Sequence, residues 1–245
     1  MAIFAYQDLS ILVADLEMAC YAKSVNLSNE VAQLDTTSLC STGWVSSIGG
    51  LKSGSVNIEF MQDTADTSVD ATLYPLLGTA GVVKSVCLGS ADGSAAYLLK
   101  SIPLNYTALT GAVGELAMGS LSGSSSTGPV VRGQLIHPSN VSRTTSSTGT
   151  GRQLGAVSAT QSVYAALHVI SASGTSPTLD VIVQSDDNAG FTTPTTRLTF
   201  TQATGRTSQM TSLAGALTDD YWRVSYTIGG TGTPTFAFAV TCGIL

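Results

Sequence analysis

The chain has 245 residues, of which 11% are charged and 43% hydrophobic, and its formal net charge is −6. That apolar content excludes intrinsic disorder, and the acidic balance excludes tight nucleic-acid binding, because affinity for phosphates comes from Lys and Arg. An ordinary soluble domain is about one quarter charged, so a surface this bare implies a large buried subunit interface.

No stretch reaches the roughly 20 apolar residues of a spanning helix. Ile11 to Met18 is interrupted by Asp15 and Glu17 and lacks the basic flank of a signal peptide, so no membrane insertion by this chain is expected. The charges are unevenly spread. Before residue 123 stand all four lysines and eleven acids, leaving −7, and after it six arginines and five aspartates, leaving +1. An acidic first region repels a duplex without forbidding its passage. Cys20, Cys40, Cys87 and Cys242 form no close pair, so they read as reduced, mostly buried thiols and not as a zinc site.

Period-two alternation dominates the chain. Val25, Leu27 and Val31 alternate with Asn26, Ser28 and Glu30; Val56, Ile58 and Phe60 alternate with Ser55, Asn57 and Glu59. Between them, Asp35 to Ser53 is too long for a hairpin turn and reads either as a surface excursion pinned by Trp44 or as an arm reaching a neighbouring subunit. Asp66 to Leu77 has helical spacing, with Pro75 keeping the helix short and Gly78 ending it. Further strands are predicted at Val82–Leu88, Ala95–Ile102, Leu104–Leu109 and Val113–Leu121. Gly/Ser/Thr tracts at Ser120–Gly128 and Ser139–Gly151 read as flexible linkers, with Val130–His137 between them either a last strand or a tether. The second half is predicted as strands Val163–Ile170, Leu179–Gln184, Arg197–Gln202, Tyr221–Ile228 and Thr235–Thr241, a small sandwich. The expectation is an all-β chain with one short helix: a domain over 1–136, a linker over 137–152, and a C-terminal β-sandwich over 153–245.

Little in the sequence points to chemistry. His137 precedes Pro138 and His168 sits in an apolar run; there is no GxSxG elbow and no phosphate loop. Asp186, Asp187 and Asn188 read as a turn in preference to a calcium site. No enzyme activity, metal or cofactor is expected. Tyr221, Trp222 and Tyr226 leave open a surface or adhesive module whose C-terminal sandwich binds glycans, although Trp222, Val224, Tyr226 and Ile228 share one strand face and favour a core.

Several short motifs carry a resemblance. Asp8 or Asp15 with Leu16, the strand Ser24–Leu27, the run Leu34-Asp35-Thr36-Thr37, Gly50-Leu51-Lys52 and Gly114-Glu115-Leu116 together resemble the tail tube proteins of long-tailed bacteriophages, over about half the chain. Where relatives continue the Asp-Thr-Thr run with Phe-Gly-Asp, this sequence has Ser38-Leu39-Cys40. The resemblance implies a tail-tube-type β-barrel or sandwich domain and homohexameric rings stacked head to tail into a tube. Its partners would be other copies of the chain, tape measure and terminator proteins, and double-stranded DNA passing non-specifically through the lumen. The location implied is the virion tail, assembled in the host cytoplasm. Under that resemblance Asn26, Ser28, Glu30, Ser55, Asn57 and Glu59 face the lumen, and Asp35, Thr36, Thr37, Trp44, Gly50, Leu51 and Lys52 belong to the loop reaching the adjacent ring. The C-terminal half, resembling small β domains appended to phage tail proteins, would decorate the outside of the tube on its tether.

Overall fold

A computed structural model gives the fold of residues 8–40, 43–125 and 127–245. Its strands are β1 (Ser10–Val13), β2 (Leu16–Glu17), β3 (Ala22–Asp35), β4 (Ser47–Met61), β5 (Val82–Cys87), β6 (Ala95–Thr110), β7 (Met118–Ser125), β8 (Val131–His137), β9 (Ser147–Thr148), β10 (Arg152–Gln153), β11 (Ser162–Asp186), β12 (Thr195–Thr199), β13 (Thr207–Ala214) and β14 (Tyr221–Ile244). Between β4 and β5 lies the short helix α1 (Val69–Leu73), which tightens into a 3-10 turn at Tyr74–Leu76, as Pro75 dictates. The fold is therefore all-β with one short helix, as the alternation predicts.

Two apolar cores organise the strands. The first gathers Ile11, Val13, Met18, Val56, Ile58, Phe60, Val69, Leu73, Val82, Leu99 and Leu121, so α1 seals the apolar side of β4. The second gathers Val163, Leu167, Val181, Val183, Trp222, Val224, Phe236 and Phe238 from the long β11–β14 pair. Both of these strands are read from sequence as two strands each. The turn residues between the pieces are real, with positive φ at Gly174, Ser176, Gly230, Gly232 and Thr233, but they shift the register of a continuing ladder and do not end it.

The second half is not free on a tether, which corrects that expectation. β8 pairs with β6 on one side and β14 on the other, so residues 131–137 join both halves in one sheet running β12-β11-β14-β8-β6-β5-β1-β2. Leu12, Cys87 and Ala96 pack with Leu135 and Ala239, and Val83 and Leu98 pack with Ala166. The ion pairs Arg152–Asp92 and Arg206–Asp15 also cross the junction. Within the expected linker over 137–152, Ser147–Thr148 forms β9, and at its end Arg152–Gln153 forms β10, both on β14. The tract Ser120–Gly128 likewise enters β7 as far as Ser125, because Ser and Gly fit a crowded sheet: a Cβ on Gly119 would stand 2.5 Å from the Phe60 ring, and one on Gly123 would stand 2.6 Å from the Ile102 carbonyl oxygen. The predicted strand over 113–121 starts only at Met118. Of the thiols, Cys87 and Cys242 are buried, whereas Cys20 and Cys40 are exposed.

Candidate assembly surface

Strands β3, β4, β7 and the second half of β6 form a four-stranded antiparallel layer. Its two faces follow from period-two parity. Val56, Ile58 and Phe60 of β4 are buried and pair with Gly123, Leu121 and Gly119 of β7 and with Leu27, Val25 and Ala22 of β3. The opposite face carries Asn26 opposite Asn57, Ser28 opposite Ser55, Ser24 opposite Glu59, and Glu30 opposite Ser53. The six residues Asn26, Ser28, Glu30, Ser55, Asn57 and Glu59 thus share one face, Ser28 and Ser55 half-buried and the others exposed. Ser24 Oγ donates to Glu59 Oε2 at 2.9 Å, and the Ser28 and Ser55 hydroxyls lie 2.9 Å apart. Sequence reasoning missed how far this face extends. Ser124, Ser122 and Ser120 stand opposite Ser55, Asn57 and Glu59, with Asn105 and Thr107 beyond. The alternation Ser-Leu-Ser-Gly-Ser was the available signal, obscured by low complexity.

Among the described residues β3 pairs with β4 alone, so the other edge of a 14-residue strand is left open. Beside it the apolar face of β3 borders two open clefts of about 570 and 690 Å³, which share Leu9 and Val25 in their linings; Leu27, Val86, Tyr97 and Val130 are among the other apolar residues of the first.

The β3–β4 ladder runs on beyond the core to Leu34 opposite Ile48 and Asp35 opposite Ser47. The stretch 47–53 is therefore strand, not loop, because backbone pairing needs no large side chains there. Val31–Asp35 and the facing stretch Ser47–Lys52 project as a ribbon roughly 16 Å long by strand rise, capped by a tip over 36–46 of which residues 41 and 42 lie outside the described set. At its base the Asp35 carboxylate accepts the Thr37 amide at 2.8 Å, and hydrogen bonds from the Thr37 hydroxyl and amide hold the Asp35 carboxyl below its ordinary value. Thr36 N donates to Ser46 O. Gly50 packs under Leu34, Lys52 stands opposite Val31, and both Lys52 and Leu51 are exposed. The arm shows Val31, Leu34, Leu39, Trp44, Val45, Ile48 and Leu51 to solvent, Trp44 at 85%.

A second exposed apolar cluster, Leu109, Val113 and Leu116, surrounds the 111–117 connection between β6 and β7. Ladder direction places it: Asp35 opposite Ser47 marks one end of the layer, and Met61 opposite Met118 marks the other. The two clusters stand at opposite ends of one sheet.

The histidines are structural in geometry. His168 and Ser85 are fully buried; His168 Nδ1 lies 2.6 Å from the Ala14 carbonyl oxygen, to which it donates, and Nε2 accepts from Ser85 Oγ at 2.9 Å. The position of a triad carboxylate is thus taken by a backbone carbonyl, and the pair has no open path to a substrate. Burial lowers both His168 and His137 to about 4. Asp186 accepts the amides of Asn188 and Thr193, which makes 186–193 a closed turn. Trp222 is fully buried and donates Nε1–H to the Gly155 carbonyl, so it belongs to the core and not to a glycan platform.

No family model matches the chain, and no curated protein matches it. Among solved structures it is similar to a chain of the tail of an empty gene transfer agent particle with C6 symmetry, at 21% identity and a TM-score of 0.40 over 50% of this chain and 93% of that one. It is also similar to a chain of the sheath–tube complex of an extracellular contractile injection system, at 11% identity and a TM-score of 0.42 over 54% and 92%. A third similar structure is the SPP1 Dit protein, of the hub adsorption apparatus of phages infecting Gram-positive hosts, at 9% identity and a TM-score of 0.34 over 98% and 100%.

Proposed function

We propose that the chain is a non-enzymatic structural subunit of a phage tail tube, with 1–136 building hexameric rings and 153–245 an appended sandwich docked against them. The observation that carries the reading is the four-stranded layer with an open β3 edge and exposed apolar clusters at its two ends. A long unpaired edge is a template for strand pairing with another copy, and a patch at one end that fits a different patch at the other end gives a head-to-tail contact that does not close. Side-by-side pairing through β3 then makes a ring, and arm-to-base contact stacks rings. In that arrangement Asn26, Ser28, Glu30, Ser55, Asn57 and Glu59 line the channel with hydroxyls, amides and two carboxylates, which repel DNA phosphates and let a duplex slide. Asp35, Thr36, Thr37, Trp44, Gly50, Leu51 and Lys52 serve the inter-ring contact, and tape measure and terminator proteins are the further partners.

Electron microscopy of the concentrated protein tests this. Rings or hollow tubes are expected, and a monomer at every concentration, with tail partners added, overturns the reading. Charge reversal at Glu30→Lys and Glu59→Lys tests the channel assignment separately: tubes should still form but release DNA more slowly, and unchanged release contradicts the lumen placement.

A further inference from the structure

Where the chain leaves β8 and folds back over β14, a cavity of about 200 Å³ is lined by Asp92, His137, Pro138, Arg143 and Tyr226 and by the stretch 147–150. Two buried atoms of the lining residues have no hydrogen-bond partner among the described residues, His137 Nε2 and Arg143 Nε. Buried polar atoms are nearly always satisfied, by protein groups or by ordered water, so this pair calls for a partner that can itself hydrogen-bond.

The chemistry of the two atoms is fixed by their surroundings. His137 is 3% exposed, its ring stacked on Phe238 at 4.2 Å and 3° and edge-on to Tyr226 at 5.3 Å. Its Nδ1 lies 3.1 Å from the Phe238 carbonyl oxygen and therefore carries the hydrogen. Burial keeps the ring neutral, with Asp92 raising and Arg143 lowering its proton affinity by smaller amounts, so Nε2 presents a lone pair. Arg143 is held in place by backbone bonds to Phe236 in both directions, at 2.7 and 2.9 Å, and its Nε can only donate. Asp92 contributes a carboxylate already engaged by Arg152 at 2.9 Å.

An acceptor and a cationic donor, with a carboxylate beside them, select against simple ions. An inorganic anion suits Arg143 but meets the Nε2 lone pair and Asp92. A metal cation suits Nε2 but meets the guanidinium, and the described residues hold no group of three metal-ligating side chains. A hydroxyl group answers both, since it donates and accepts at once, while Tyr226 and Pro138 offer apolar walls to C–H groups. Drug-sized ligands occupy about 300–1,000 Å³, so this smaller space suits a single ring.

We propose that this cavity binds a small neutral polyhydroxyl ligand, one sugar ring or a comparable polyol, with a hydroxyl donating to His137 Nε2 and an oxygen accepting from Arg143 Nε. None of its lining residues belongs to the β3–β4–β7–β6 layer.

The test follows the His137 Nε2 resonance by NMR in the full chain during titration with methyl glucoside, methyl galactoside or erythritol, with inorganic phosphate and Zn²⁺ as competing probes. At least one hydroxylated probe should shift the resonance saturably, and Arg143→Met and His137→Phe should weaken its binding roughly tenfold or more, read for the second variant from ligand-observed signals. Should His137→Phe not fold, Arg143→Met decides, since Arg143 as a whole residue is only half-buried and makes no ion pair among the described residues. Preferential binding of phosphate or Zn²⁺, binding unchanged in Arg143→Met, or no shift with any hydroxylated probe at its solubility limit overturns the proposal.

Discussion

The β3–β4–β7–β6 layer and the β11–β14 sandwich are built from the same period-two alternation and use it differently. In the sandwich, large side chains of both long strands meet in a closed core, with Trp222, Phe236 and Phe238 fully buried. In the layer, one face closes over α1, while the other face, one long edge and both ends stay open. An unmet edge with apolar ends has to be covered by something, whereas a closed core does not. Most of the exposed large apolar residues, from Val31 to Leu116, accordingly lie on the first half.

The contrast can be broken by substitution. Trp222→Ala should cost the sandwich about 4 kcal/mol, measured by chemical denaturation; a loss near zero would show that this core is not what holds the second half. Acid comes next. His137 and His168 fall to about 4 through burial, while the unfolded chain titrates near the ordinary 6.5. Protons are then taken up by the unfolded state as pH drops through 6.5, and stability declines until about pH 4, by up to about 3 kcal/mol per histidine. Denaturation midpoints across that window check the slope, and His137→Phe should flatten it by roughly half. Neither group contributes a change above pH 7.

Lys84 sharpens the comparison from inside the first half. It is 1% exposed, its Nζ has no hydrogen-bond partner among the described residues, and burial lowers it to about 8. Gly123 makes room for it, a Cβ there standing 3.1 Å from Nζ. Lys84→Met keeps the aliphatic stem and removes the buried charge, so it should stabilise the chain by about 2 kcal/mol at pH 7. The gain should shrink as pH rises through 8 toward 10.5, where the wild-type amine becomes neutral in both states. The smallest effects belong to the open surfaces: Asn57→Ala or Trp44→Ser should change monomer stability by less than about 0.5 kcal/mol, while Trp44→Ser should weaken self-association measured by sedimentation.

Sequence reading captured what alternation encodes directly. The two faces of β3 and β4, the short helix cut off by Pro75, and the core placement of Trp222 are all parity or spacing effects. It missed β1, because Ser10–Val13 is buried on both faces and does not alternate, and β13, whose Thr-Ser-Gln-Met-Thr-Ser run looks like a loop. It took Ser120–Ser125 for a linker because Gly and Ser serve crowded strands as well as flexible ones. The docking of the halves was invisible, since it rests on non-local matches such as Gly133 against Gly243, where a Cβ on Gly133 would stand 2.5 Å from the Gly243 Cα. The cavity at His137 and Arg143 depends on where a polar segment folds back, which no local pattern encodes.

The proposed head-to-tail contact is open to one direct measurement. Cys40 is exposed on the arm, and Val113 is fully exposed at the opposite end of the layer. In a Cys20→Ser background, Val113→Cys should let mild oxidation join Cys40 of one copy to the new thiol of the next. A ladder of trimers and longer covalent chains on a non-reducing gel is the expected result. Monomers and dimers alone, at concentrations where the wild-type chain is fully assembled, would contradict the account.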